Sequence, residues 1–226
     1  MDTISISRTE KHRLHTIAFG LAILTIIIAL MEGLVSTYFG YQDDCLTLFG
    51  FGAGSYIEMI SGVGVAHMVV RIRQFPDSNR DNFEQTALRI TGFGFYALVA
   101  GLALTSMYSI WTGHKPETTF AGIIISLASI AFMWALVFGK IKVGRQLNSD
   151  AILADAECTK VCIYMSLVLL ATSGVYELTK FAYADIIGTL GLAYFSFKEG
   201  RECFEKATSN KYCSCEDVSY GQHNKI

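Results

Sequence analysis

The sequence predicts an all-α membrane protein of six transmembrane helices with both termini in the cytoplasm. Three observations carry that reading. The chain has 226 residues, 52% hydrophobic and 17% charged, with 2 prolines and a mean hydropathy of +0.39, a balance that fits neither a soluble domain nor a disordered chain. Uncharged or nearly uncharged runs recur at the length, about 20 helical residues, that crosses roughly 30 Å of hydrocarbon. Counted over alternate connections, fifteen of the 18 lysines and arginines fall on one side and only Lys115 and Lys180 on the other, with Lys160 inside a span. Basic short loops stay cytoplasmic, so this bias places both ends inside and requires an even number of spans. The formal charge of −2 implies no nucleic-acid surface.

Taken in order, the first span covers residues 14–38 and carries one carboxylate, Glu32. The second, 46–70, carries only Glu58, while 90–111 and 118–139 carry no charge at all. The fifth, 151–176, and the short sixth, 181–197, each need a polar first turn to reach full length; the sixth starts near Asp185. The first run is too long for a cleavable signal, and no small-residue cleavage site follows it. The expected organisation is a cytoplasmic segment over 1–13, a six-helix membrane domain over 14–202 and a short cytoplasmic tail over 203–226, too short for a core of its own. Of the 6 cysteines, Cys45, Cys158, Cys162, Cys203, Cys213 and Cys215, only Cys45 lies near the outer face. A disulfide framework is therefore not expected, and the cysteines read as thiols.

Chemistry is sought where charge is costly. A carboxylate at the bilayer centre is unfavourable by about 3 kcal/mol, and Glu58 falls near the middle of its span. The competing reading is a protonated glutamic acid bonded to a neighbouring helix. Glu32 and Asp185 lie nearer the outer ends of their spans, where snorkelling competes with function. In the fifth span, "DAECTKVC" places Asp155, Cys158 and Cys162 on one stripe of a helix. The two cysteines reach the depth of Glu58. Two thiolates and a carboxylate make a three-ligand metal site that favours Zn(II), Cd(II) or Cu(I) over Mg(II) or Ca(II). Cysteine is also a small apolar residue that packs well in helices, which is the alternative for the pair. Asp155, Asp150 and Glu157 would attract cations at the inner entrance, and Asp43 and Asp44 at the outer one.

The stretches "NSDAILADAECTKVCIYMSLVLL" and "LTLFGFGAGSYIEMISGVGVAHMVVRIR" resemble the fifth and second transmembrane helices of the cation diffusion facilitator superfamily of divalent-metal/proton antiporters. Six spans with cytoplasmic termini agree with that family. The resemblance implies a tetrahedral metal site between these helices, built from D-x-x-x-D on the second and H/D-x-x-x-D on the fifth. Here the first pair falls on Gly54 and Glu58 and the second on Cys158 and Cys162. Gly54 marks the position of a missing family ligand, leaving a fourth site for water, Asp155 or a residue such as Ser61. The family's cytoplasmic C-terminal domain, which provides dimerisation and metal sensing, has no counterpart, so a short form is expected and a homodimer stays open.

The implied function is proton-coupled efflux of Zn(II), Cd(II) or another soft cation by alternating access, in the plasma (inner) membrane. Lipid, the transported metal and protons are the expected partners, with no permanently bound cofactor and no enzymatic activity. Two other classes stay open. One is a membrane thiol oxidoreductase using Cys158 and Cys162, against which stands the poor disulfide geometry of helical cysteines four apart. The other is a non-transporting metal sensor or scaffold using the tail motif "CSC" at Cys213 and Cys215.

Overall fold

A computed structural model describes residues 8–75, 82–113, 119–147, 149–181 and 183–208. Among them the backbone forms six helices and no strand: α1 (Arg8–Gln42), α2 (Leu46–Gln74), α3 (Asn82–Thr112), α4 (Phe120–Leu147), α5 (Asp150–Thr179) and α6 (Ala184–Thr208). The all-helical, six-element expectation holds. Cys213 and Cys215 of the tail, and Arg80 and Lys115 of the loops, lie outside the described residues.

Five of the helices are long and apolar enough to cross a membrane, namely α1 to α5. The sixth falls short on apolarity, because Asp185, Lys198, Glu199 and Arg201 crowd its length. It nonetheless turns Ile187, Leu190, Tyr194 and Phe197 outward at helical spacing, each more than half exposed. That apolar stripe continues the belt formed by Ile27, Leu104, Ile124 and Phe138 on the other helices. The helices outrun the apolar runs read from the sequence by one to three turns, since lysine, arginine and glutamate are good helix formers once the chain reaches the interface. Lys140, which the sequence places in a cytoplasmic connection, is in fact 2% exposed inside α4.

Packing follows the rule for lipid, where small residues let backbones approach and hydroxyls bond across helices. α1 runs along α2 and α4, α3 lies between α2 and α6, and α5 sits between α4 and α6. The α1–α2 contact is the tightest: a Cβ added at Gly40 would lie 2.4 Å from the Phe49 backbone nitrogen, so only glycine fits. Ser129 and Ser166 join α4 to α5 through hydroxyls 2.8 Å apart. Apolar clusters fill the rest, the largest around Leu48, Phe51, Leu102, Met165, Leu169 and Leu192.

One polar contact fixes how α2 starts. Its N-cap, Cys45, makes no capping bond with its own side chain. Asp185 of α6 supplies the acceptor instead: the Leu46 and Thr47 amides donate to its two carboxylate oxygens at 2.9 Å each, and the Cys45 thiol donates at 3.2 Å. The arrangement satisfies two of the four amides that every helix leaves open and places a negative charge at the positive end of the helix dipole. Asp185→Ala should therefore cost about 1–3 kcal/mol, and Asp185→Asn, which keeps one acceptor, distinctly less. Thermal unfolding in detergent measures both; an alanine variant as stable as the parent would mean the amides find other partners.

Candidate metal site

The second and fifth helices each present a polar stripe at helical spacing. On α2 it consists of Glu58 and Ser61, and on α5 of Asp155, Cys158, Thr159 and Cys162. The two stripes face one another across a cavity of about 100 Å³, which α3 and α6 complete. Glu58, Ser61, Asp155, Cys158 and Cys162 all line it. The Cys162 thiol donates to the Cys158 carbonyl one turn back at 3.7 Å, and Glu58 lies within electrostatic range of it. All four described cysteines are free thiols, as expected.

The other residues singled out from the sequence stand elsewhere. Asp185 caps α2 and does not line the cavity. Glu32 neither snorkels nor reaches the cavity wall: its two oxygens are enclosed without a hydrogen-bond partner, within electrostatic range of Glu58 and Cys162. Gly54 also faces away. A Cβ there would meet Met165 Cε at 3.2 Å and Leu98 Cδ2 at 3.7 Å, so a longer side chain at this position heads into apolar packing. Glu157 pairs with Lys160 at 2.6 Å on the half-exposed flank of α5. Asp44 takes a left-handed conformation, φ 51°, in the turn between α1 and α2.

Three side chains in or beside the site were not anticipated. Lys140 reaches from α4 to Asp155 Oδ2 at 2.9 Å and donates to the Thr159 hydroxyl at 2.8 Å. The carboxylate expected to attract cations at the entrance is thus already paired. From α6, Glu199 and Lys206 line the same cavity, and Lys206 Nζ lies 2.9 Å from Cys158 Sγ and 3.5 Å from Glu202 Oε2. A signal for them exists. Glu199, Glu202, Cys203 and Lys206 repeat at helical spacing, but past the end of the apolar run, where they read as tail. Among the described residues, no three His, Cys, Asp or Glu side chains stand close enough together to hold one ion as the site is arranged.

The Lys140–Asp155 pair is buried and reinforced by Thr159, so removing one partner strands the other charge. Lys140→Ala should destabilise the protein by about 3–5 kcal/mol, whereas Lys140→Met combined with Asp155→Leu should cost much less. A double-mutant cycle of Lys140→Met, Asp155→Leu and the two together, read by thermal unfolding, decides it; single effects that add up to that of the double would show that the pair is solvated.

The cation efflux transmembrane domain matches residues 82–210, which takes in α3 to α6 and with them Cys158, Cys162, Glu199 and Lys206. Glu58 and the rest of α2 lie before the matched region. A comparison with curated proteins found no match. With more than half of its residues matched to that domain and five helices fit to cross a bilayer, the chain is a multi-pass membrane protein that belongs to the cation efflux, or cation diffusion facilitator, family.

Proposed function

We propose that this transporter exports a soft or borderline divalent cation, Zn(II) or Cd(II), from the cytoplasm in exchange for protons, with Glu58, Cys158 and Cys162 as direct ligands. The observation that carries the reading is their convergence on one cavity between α2 and α5. Thiolates are polarisable donors that hold Zn(II) and Cd(II) far better than Mg(II) or Mn(II), which prefer oxygen. Metal binds the deprotonated forms of thiol and carboxyl, so loading releases protons and reprotonation from the opposite side favours release. Alternating exposure of the α2–α5 cavity to the two sides then yields antiport.

The basic residues near the helix ends support cytoplasmic termini, with loading from the side of Arg71, Arg73, Lys142 and Arg145; the plasma (inner) membrane is the proposed residence. Disulfide chemistry between the cysteines is disfavoured: the Cys162 thiol donates to the Cys158 carbonyl, and Cys158 Sγ accepts from Lys206.

In a Cd(II) titration of the purified chain, Cys158→Ser and Cys162→Ser should each weaken binding by about tenfold or more, equivalent to about 1.4 kcal/mol. If both serine variants bind like the parent, the cysteines are packing residues. In inside-out vesicles, Cd(II) added outside should be taken up while protons leave, and collapse of the pH gradient should stop it. Uptake indifferent to the gradient, or seen only in right-side-out vesicles, would remove the antiport direction.

A further inference from the structure

Besides Asp155, which Lys140 pairs, the cavity contains a second acidic group that is not among the proposed ligands. Glu199 is 8% exposed and lines the cavity together with Cys158 and Lys206. Its Oε2 is enclosed and has no hydrogen-bond partner. An enclosed carboxylate oxygen without a donor is costly, and its lone pairs are available to a cation. Beside it, the Lys206 ammonium lies 2.9 Å from Cys158 Sγ and is 5% exposed. A positive charge already sits among the donors of a cation site.

These facts bear on the donor that Gly54 does not supply. Its Cβ direction leads to Met165, so the missing ligand cannot be restored from α2 without repacking. A donor from α6 reaches the cavity without such a change. We propose that Glu199 is the additional oxygen ligand of the transported cation and that Lys206 is a tethered cation which the metal displaces from Cys158 during loading. This rests on the reading of the cavity as a metal site. The lysine side chain is a point charge on a flexible four-carbon stem, so it can leave by rotation about its own bonds while α6 stays in place. Held on the same helix as Glu199, it competes at the effective concentration of a tethered ligand. An ion displaces it only if it binds thiolate strongly, which Cd(II) and Zn(II) do and Mg(II) and K⁺ do not. The scatter of the donors in the present arrangement, with no three gathered on one point among the described residues, agrees with a lysine-held state.

The test is a Cd(II) titration of the full-length chain in detergent at one fixed pH, read by a competing chelator and by cadmium–thiolate absorption. Glu199→Gln should weaken binding by about tenfold or more while the thiolate absorption persists at saturation, because the sulfur donors remain. Lys206→Met should tighten binding by about tenfold or more and narrow the preference for Cd(II) over Mg(II), because a unit positive charge and a competitor leave together. Glu205→Gln, on the exposed flank of α6 beside Arg201, should bind like the parent. Affinity of Glu199→Gln within about twofold of the parent overturns the ligand assignment, and a Lys206→Met variant that binds no tighter overturns the displacement. Each variant is read alone, so if one fails to fold the other decides. A parent that binds no Cd(II) at all removes the metal reading of the cavity and this inference with it, an outcome distinct from either variant result.

Discussion

A charge inside a bilayer has no water to answer it, and most of the polar architecture of this protein follows from that constraint. Asp155 is answered by Lys140, Cys158 by Lys206, and Asp185 by the amides that open α2. Each answer comes from a different helix. The contacts therefore do more than neutralise: they fix which faces of α2, α4, α5 and α6 meet. Lipid provides no hydrophobic force to bring helices together, so cross-helix polar bonds and close glycine contacts set the arrangement. Among the described residues Glu58, Glu32 and Glu199 have no cross-helix ion pair of this kind, and Glu58 and Glu199 line the cavity where metal is proposed to bind.

Much of this was legible in the sequence. Period and charge alone located α1 to α5, and the stripe Asp155, Cys158, Cys162 correctly put three side chains on one cavity wall opposite Glu58. Those inferences depend on spacing within one helix, which a sequence states directly. What was not legible depends on contacts between helices. Lys140 reads as a loop cation until α4 is seen to continue to Leu147 and to turn that side chain onto Asp155. Asp185 reads as an outer-end carboxylate until the start of α2 is seen to lie beside it. Gly54 occupies the family's ligand position in sequence, yet its Cβ direction is decided by Met165 and Leu98, residues 111 and 44 positions further on.

The α6 residues were missed for a different reason. Hydropathy ends the sixth span at Phe197, and everything beyond is charged enough to look solvated. The helix itself continues to Thr208, and its charged end is turned inward, with Glu199, Cys203 and Lys206 all under 9% exposed. Apolarity marks what faces lipid; it does not mark where a helix stops.

This length gives α6 a particular place in the mechanism. From Asp185 to Lys206 the helix rises about 31 Å, close to the thickness of the hydrocarbon layer. At one end it holds the start of α2 through Asp185, and at the other it holds α5 through Lys206 and Cys158. The two helices that carry the proposed ligands are thus tied to a single rod at opposite ends of the membrane domain. Releasing Lys206 would remove the polar tie between α5 and that rod while α2 stays capped to it. A cation that displaces the lysine would thereby loosen one ligand helix relative to the other, which is the relative motion that alternating access requires. Under the proposed displacement, the bond that holds Cys158 would also be the one whose loss lets α5 move relative to α2.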